Sequence, residues 1–480
     1  MAQSMILDYH KKIINNKSHI STTFNEIKKN IVKINNSHTF ITTTSNGIDI
    51  KEYEKSINNN LDNLLFAVPY TLKDNITTKG ILTTGGSKIL QNYIPPFNAT
   101  LYDLINKKQA ILIGKTNLDE FGLGDSGIYS AFGDVTNFYD NRCITGGSSS
   151  GSVNAIAANT CFFSIGTDTG DSSRRPSTYL GVVGFKPSYG LISRYGVLPY
   201  APSLDTVGII ANYVTDIAIV ADAIIKFDEK DYTSQNIKFD GFLKSLKPIE
   251  KIRFSVIKDI DKYLEKNAAA SYFKSIELIK KHGHIINEVE IDWALVRIIP
   301  TIYKVISCVE AKSCYANLTG ITFGKNFDDI SGFEKIITNN RTKGFGNQFK
   351  RRLIIGGFST YKENYHDVYK LASKFRTLII QQVNKLLANN DAFILPGTSS
   401  TAPLISDVKN GKFKTNEADD IVQLSNFAST PSISIPTEFI GKLPYGINIS
   451  THINDDQKLL NIALTLEEIF KFHKEVKNND

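Results

Sequence analysis

Cysteine is scarce in this chain: Cys143, Cys161, Cys308 and Cys314 are the four present in 480 residues. With no CxxC pair among them they exclude a disulfide framework and a cysteine-rich zinc site, and they read as small buried hydrophobes of a reducing compartment. Long apolar runs are missing too. The best, such as Ala110 to Ile113, have a strand's length against the ~18 residues of a spanning helix, so a membrane-spanning protein is excluded. Met1 to Asn16 holds neither the apolar stretch of a secretory signal nor the arginine-rich pattern of a transit peptide. Cytoplasmic is therefore the expected location, with the mitochondrial matrix as the alternative. Neither sign of charge dominates: 55 Lys+Arg against 48 Asp+Glu leaves +7, which suits contact with an RNA and equally an ordinary enzyme.

What is present alternates between strand and helix. Leu64 to Leu72, Ala110 to Gly114 and Cys161 to Gly166 read as strands, with helices around Thr100 to Asn106 and Ser152 to Asn159. Farther on, strands are expected at 251–257, 285–291, 391–396, 432–436 and 445–450, and long helices at 263–282 and 364–388. This pattern predicts an α/β architecture in which helices cover a sheet. The first sixty residues read as a helical entry segment, with a capping box at Thr23 and Glu26. No repeat and no Pro- or Gly-rich linker divides the chain, so one elaborated domain is expected.

Three segments carry candidate chemistry. Gly146-Gly147-Ser148-Ser149-Ser150-Gly151-Ser152 opens directly into a helix-forming run; composition alone would make it a flexible linker, but its position brings N–H groups and hydroxyls toward a buried ligand. No GK[ST] closes this run, which excludes a P-loop. It does contain a formal GxSxG with Ser149 as nucleophile, an α/β-hydrolase pattern that needs a preceding strand and a late histidine, for which His452 and His473 are the candidates. Thr167 to Pro176, dense in Thr, Gly and Ser, is either a polar loop or a turn whose successive N–H groups form an oxyanion hole. Lys73 ends an apolar strand; most such lysines are solvated, whereas a buried one loses its proton readily and can act as a base.

Together these segments resemble the amidase signature family, whose members hydrolyse amides with a Ser–Ser–Lys triad. The resemblance implies a single large domain with a central mixed β-sheet covered by helices on both sides, spanning 61–480 after the 1–60 helical segment. Its signature core would cover 64–212, a variable helical region about 215–420, and C-terminal strands and helix 421–480. It also implies Ser172 as nucleophile, Ser148 as bridging serine, Lys73 as base, and the N–H groups of Thr169, Gly170, Asp171 and Ser172 as the oxyanion hole, with no metal. A Ser–Lys site needs no histidine.

Within the family the chain is most similar to the glutaminase subunits of tRNA-dependent amidotransferases, through Gly114 to Phe121, Ser130 to Gly133, Phe185 to Gly196, Gly344-Phe345-Gly346, Lys350-Arg351-Arg352 and Asn426 to Pro436. That likeness implies Arg352 for the carboxylate of glutamine, Asp419 for its ammonium, and Tyr303 as a further substrate contact. It further implies B and C partner subunits in a heterotrimer, with ATP and Mg used at a partner subunit, while this chain itself carries no cofactor. The ammonia released would convert Glu-tRNA(Gln) to Gln-tRNA(Gln). Three positions depart from the family: Asp171 where most members have Gly, Thr145 where Pro is usual, and Ser177 where Ala is usual. A charge at 171 would oppose a developing oxyanion unless Arg174 or Arg175 neutralises it. The alternatives are a stand-alone amidase for another small amide and an inactive scaffold subunit.

Overall fold

The computed structural model describes residues 3–472, and His473 lies outside the described residues. Eleven strands form one mixed sheet. They are β1 (Phe40–Thr43), β2 (Pro69–Lys73), β3 (Ile111–Thr116), β4 (Phe163–Asp168), β5 (Val183–Lys186), β6 (Thr206–Ala211), β7 (Arg253–Ile257), β8 (Ile285–Val289), β9 (Ala392–Pro396), β10 (Ser432–Ile440) and β11 (Leu443–Ser450). The order across the sheet is β1-β3-β2-β4-β6-β5-β10-β11-β9-β7-β8. β2 pairs in parallel with β3 and β4, so their carboxyl ends share one edge, the edge at which sheets of this kind place their sites. Every residue of β2 and of β4 is buried, so neither strand has a solvated face. Helices cover both faces and close one large hydrophobic core.

Several expected elements shift. The apolar stretch from Leu64 is a buried turn through Leu65, Phe66 and Ala67 before β2 begins at Pro69: Phe66 N–H bonds to Asn63 and Val68 N–H to Leu65, and burial, not pleating, makes it apolar. The helix His19–Lys33 starts after Ser18, so Thr23 lies inside it and forms no capping box. Phe40–Thr43, within the segment expected to be helical, is the edge strand β1, antiparallel to β3. The long helix expected over 364–388 has a π-helical first turn, Tyr365–Lys370, and continues as Leu371–Leu387.

Candidate active site

Lys73 is the last residue of β2 and is fully buried. Its Nζ lies 2.8 Å from Ser148 Oγ, 2.9 Å from Ser149 Oγ and 2.8 Å from Thr167 Oγ1. Burial pushes the ammonium down to about 7, and Asp119, Asp168 and Asp205, which favour the charge, offset this in part. The neighbours also orient it. Ser149 donates its hydroxyl hydrogen to Thr167 O at 2.9 Å and can therefore only accept from the lysine, while Thr167 Oγ1 also accepts from Asn75 Nδ2 at 3.2 Å. A neutral amine has two N–H bonds; given to Ser149 and Thr167, they leave its lone pair for the Ser148 hydroxyl.

The Ser148 loop is shaped by glycines. Gly146 has φ +75°, and a side chain on Gly147 would enter the carboxylate of Asp119 and the N–H groups of Ser126 and Gly127. The Gly147–Ser148 peptide is cis. Asp119 fixes this region by accepting from Gly127 N at 3.0 Å and Tyr129 N at 2.9 Å, and burial raises its carboxyl to about 6.

The Thr169–Ser172 turn follows β4 and comes against the serine loop, with Ser149 N–H donating to Ser172 O at 3.0 Å. Ser172 Oγ makes no hydrogen bond to a described residue. The N–H groups of Thr169, Gly170, Asp171 and Ser172 likewise donate to no described acceptor. Carbonyls of the turn are tied instead: Asp171 O accepts from Arg174 N and Arg175 N, and Gly170 O from Arg174 Nη2 at 2.7 Å. Arg174 is buried and forks onto Asp168 with two 3.1 Å bonds, then reaches Val422 O, Ser432 Oγ and Asn426 Oδ1. Burial alone would raise Asp168, but Arg174, Lys186 and Asn426 hold it well below the usual carboxylate range. Asp171 pairs with Arg175 at 2.5 Å and not with Arg174. Arg175 Nη2 continues to Asp419 O at 3.1 Å.

The remaining expected residues gather on the same side. A Cβ on Gly170 would stand 3.2 Å from the Tyr303 ring, so that ring covers the turn. Tyr303 meets Tyr200 edge-on at 6.3 Å, and Tyr200 Oη accepts from Arg352 Nη1 at 2.6 Å. Asp419 is engaged: it accepts from Ser399 N at 2.9 Å, Ser399 Oγ at 2.7 Å and Asn416 N at 3.1 Å. Thr145 and Ser177, two of the positions that depart from the family pattern, are buried and bond to backbone carbonyls. The α/β-hydrolase pattern finds no support in the geometry, since irregular chain precedes Ser149 and His452 is exposed. Sequence reasoning missed Thr167, Asn75, Asp119 and Tyr200; Thr167 and Asp119 lie inside segments already singled out and Asn75 stands two residues past Lys73, whereas Tyr200 carries no local signal. Among the described residues no group of three or more His, Cys, Asp or Glu is arranged to hold a metal ion, and no helix is long and apolar enough to cross a membrane.

A sequence model of the amidase family matches residues 19–460. The A subunit of glutamyl-tRNA(Gln) amidotransferase from Mycoplasma genitalium is 43% identical over 92% of this chain and 93% of its own length. The protein of the same name from Thermoanaerobacter pseudethanolicus is 37% identical over 88% and 87%. The crystal structure of the glutamyl-tRNA(Gln) amidotransferase A subunit from Thermotoga maritima superposes with a TM-score of 0.76 at 29% identity, covering 94% of this chain and 92% of that one. Allophanate hydrolase of Kluyveromyces lactis shares the fold with a TM-score of 0.81 at 22% identity, over 98% of this chain and 72% of that one. With a family match over most of its length, and relatives at 43% and 37% identity that it covers nearly end to end, the chain belongs to the amidase family.

Proposed function

We propose that this chain is the glutaminase subunit of a tRNA-dependent amidotransferase, releasing ammonia from glutamine for the conversion of Glu-tRNA(Gln) to Gln-tRNA(Gln). The names of its relatives support the reading, and the observation that carries it is the buried Lys73 amine 2.8 Å from Ser148 beside a turn of four unengaged N–H groups. Ser172 Oγ attacks the side-chain amide carbon of glutamine. Its proton passes to Ser148, whose own goes to the lone pair of Lys73, and the N–H groups of residues 169–172 hold the tetrahedral oxyanion. Collapse expels ammonia with the proton returned through Ser148, leaving a γ-glutamyl ester on Ser172. Water, deprotonated along the same relay, then hydrolyses the ester.

Arg352 takes the unreacting carboxylate and Asp419 the ammonium, and Tyr303 closes over the turn. The complex is a heterotrimer with B and C subunits, ATP and Mg being used at a partner subunit, in the cytoplasm. Pairing of Asp171 with Arg175 supports the active reading over an inactive scaffold. The test is ammonia release from glutamine by the chain purified with its partners: Ser172→Ala is expected to abolish it, and Ser148→Ala and Lys73→Ala to cripple it non-additively. Release by Ser172→Ala at the wild-type rate would refute the reading.

A further inference from the structure

Asp205 stands immediately before β6, and the register of that strand decides what it faces. Thr206 lies opposite Asp168 in the antiparallel β4–β6 pair, so one step beyond the ladder Asp205 comes level with Thr169, the first residue of the serine turn. The Thr169 hydroxyl donates to Asp205 Oδ1 at 2.6 Å. The other oxygen, Oδ2, accepts from Tyr200 N at 2.7 Å and from Ala201 N at 3.0 Å. Asp205 is 8% exposed, so these bonds converge on a carboxylate held largely out of water, where each is strong and costly to lose.

Tyr200 carries the connection further. Its hydroxyl accepts from Arg352 Nη1 at 2.6 Å and donates to Ser307 Oγ at 2.9 Å, and the Arg352 guanidinium lies 5.8 Å from the centre of its ring. Tyr200 is 3% exposed and meets Tyr303 edge-on, so its ring moves little relative to its own backbone. With its two oxygens Asp205 therefore grips both ends of the site: the turn that offers N–H groups to an oxyanion, and the backbone of the tyrosine on which Arg352 rests. We propose, resting on the glutaminase reading above, that Asp205 is a positioning residue that fixes the span between the oxyanion turn and Arg352, so that binding of the substrate's α-carboxylate is used at the reacting amide. It acts on the substrate through Thr169 and Tyr200. Binding energy from the unreacting end lowers the barrier when the frame between the two ends is rigid, and it then appears in kcat.

The experiment measures ammonia release by the complex purified with its partner subunits from two amides: glutamine, and 4-aminobutanamide, which is glutamine without its α-carboxylate. The wild type should have the higher kcat with glutamine. Asp205→Asn keeps the volume but leaves one acceptor oxygen for the Thr169, Tyr200 and Ala201 donors. It is expected to cut kcat for glutamine by roughly ten- to hundredfold and kcat for 4-aminobutanamide much less, so that the two converge. Thr169→Val removes the hydroxyl at the other end of the tie and should produce the same convergence, with the double variant losing little more than either single one. Equal losses on both amides in Asp205→Asn, or losses that multiply in the double variant, overturn the assignment, as does a wild type whose preference for glutamine lies wholly in KM. Circular dichroism and co-purification with the partners establish that each variant is folded, and Thr169→Val carries the same test if Asp205→Asn is not. A wild-type complex that releases ammonia from neither amide refutes the glutaminase reading itself, a result distinct from an active wild type with an Asp205→Asn that treats both amides alike.

Discussion

At the scale of single residues, the proposed chemistry turns on the protonation of Lys73 and the neutralisation of Asp171. A base that burial has lowered to about 7 is neutral above that pH and charged below it, so kcat/KM for ammonia release should fall about tenfold per pH unit below roughly 7 and level off above it. A profile flat down to about pH 5 would show that Lys73 is not the base. Asp171 is paired with Arg175, so Asp171→Gly should change glutaminase activity mildly, whereas Arg175→Gln strands a buried carboxylate beside the oxyanion and should cost roughly ten- to a hundredfold in kcat. The double variant Asp171→Gly/Arg175→Gln should recover most of that loss. If it stays as slow as Arg175→Gln alone, the arginine acts through the Asp419 carbonyl instead. The sequence offered Arg174 and Arg175 as equal partners for Asp171. Helical geometry decides: residue 175 lies one turn on at i+4, while Arg174 points inward to Asp168. Lys73, Ser148 and the turn were legible because each sits in a dense local motif; Tyr200 was not, because what distinguishes it is its bond from Arg352, far away in the chain.

At the scale of elements, the site is a junction of strand ends held by one arginine. Arg174 ties the end of β4 through Asp168, the turn through Gly170 O, the 422–426 segment, and β10 through Ser432. Arg174→Met leaves Asp168 buried and unpaired, so urea unfolding should show a loss of about 3–5 kcal/mol, and a loss below about 1 kcal/mol would mean that the junction does not depend on it. The pH sign follows from Asp168, whose folded value is depressed. Its stabilisation is present above the usual carboxylate value near 3.9 and is lost as pH falls below it. The parallel strands and the helices Lys266–Lys281 and Leu371–Leu387 were readable from apolar runs and period, whereas the 22-residue helix Trp293–Cys314 was not anticipated. β5 and β6 were not anticipated: Val183–Lys186 is a four-residue run beside the motif loops and Thr206–Ala211 follows an irregular segment, and both become strands because β4 and β10 supply antiparallel partners. The edge strand β1 was likewise hidden in a polar, helix-rich segment.

For the whole molecule, parallel pairing of β2 with β4 brings Lys73 and the 169–172 turn to one edge, and the antiparallel half brings the 419–426 segment to meet them. Such a site is built from many buried ionisable groups, and this leaves a signature in stability. Burial raises Asp119, Asp216 and Asp456 to about 6, Glu120 and Asp420 to about 7, and Glu467 to about 8. Between their unfolded values near 4 and these folded ones, the native state binds more protons than the unfolded chain, so stability falls as pH rises through that window. Lys73 and Lys186, lowered to about 7, act in the opposite sense only above that value. Thermal unfolding should therefore give a higher Tm near pH 5.5 than near pH 7, and the reverse order would show that these carboxyls are solvated. The central claim, that Ser172 is the nucleophile of a glutaminase, is tested most directly by quenching the complex during glutamine turnover and mapping the acylated peptide by mass spectrometry. The expected result is a γ-glutamyl ester on Ser172, absent from Ser172→Ala; an ester on Ser149, or steady ammonia release by Ser172→Ala, would contradict it.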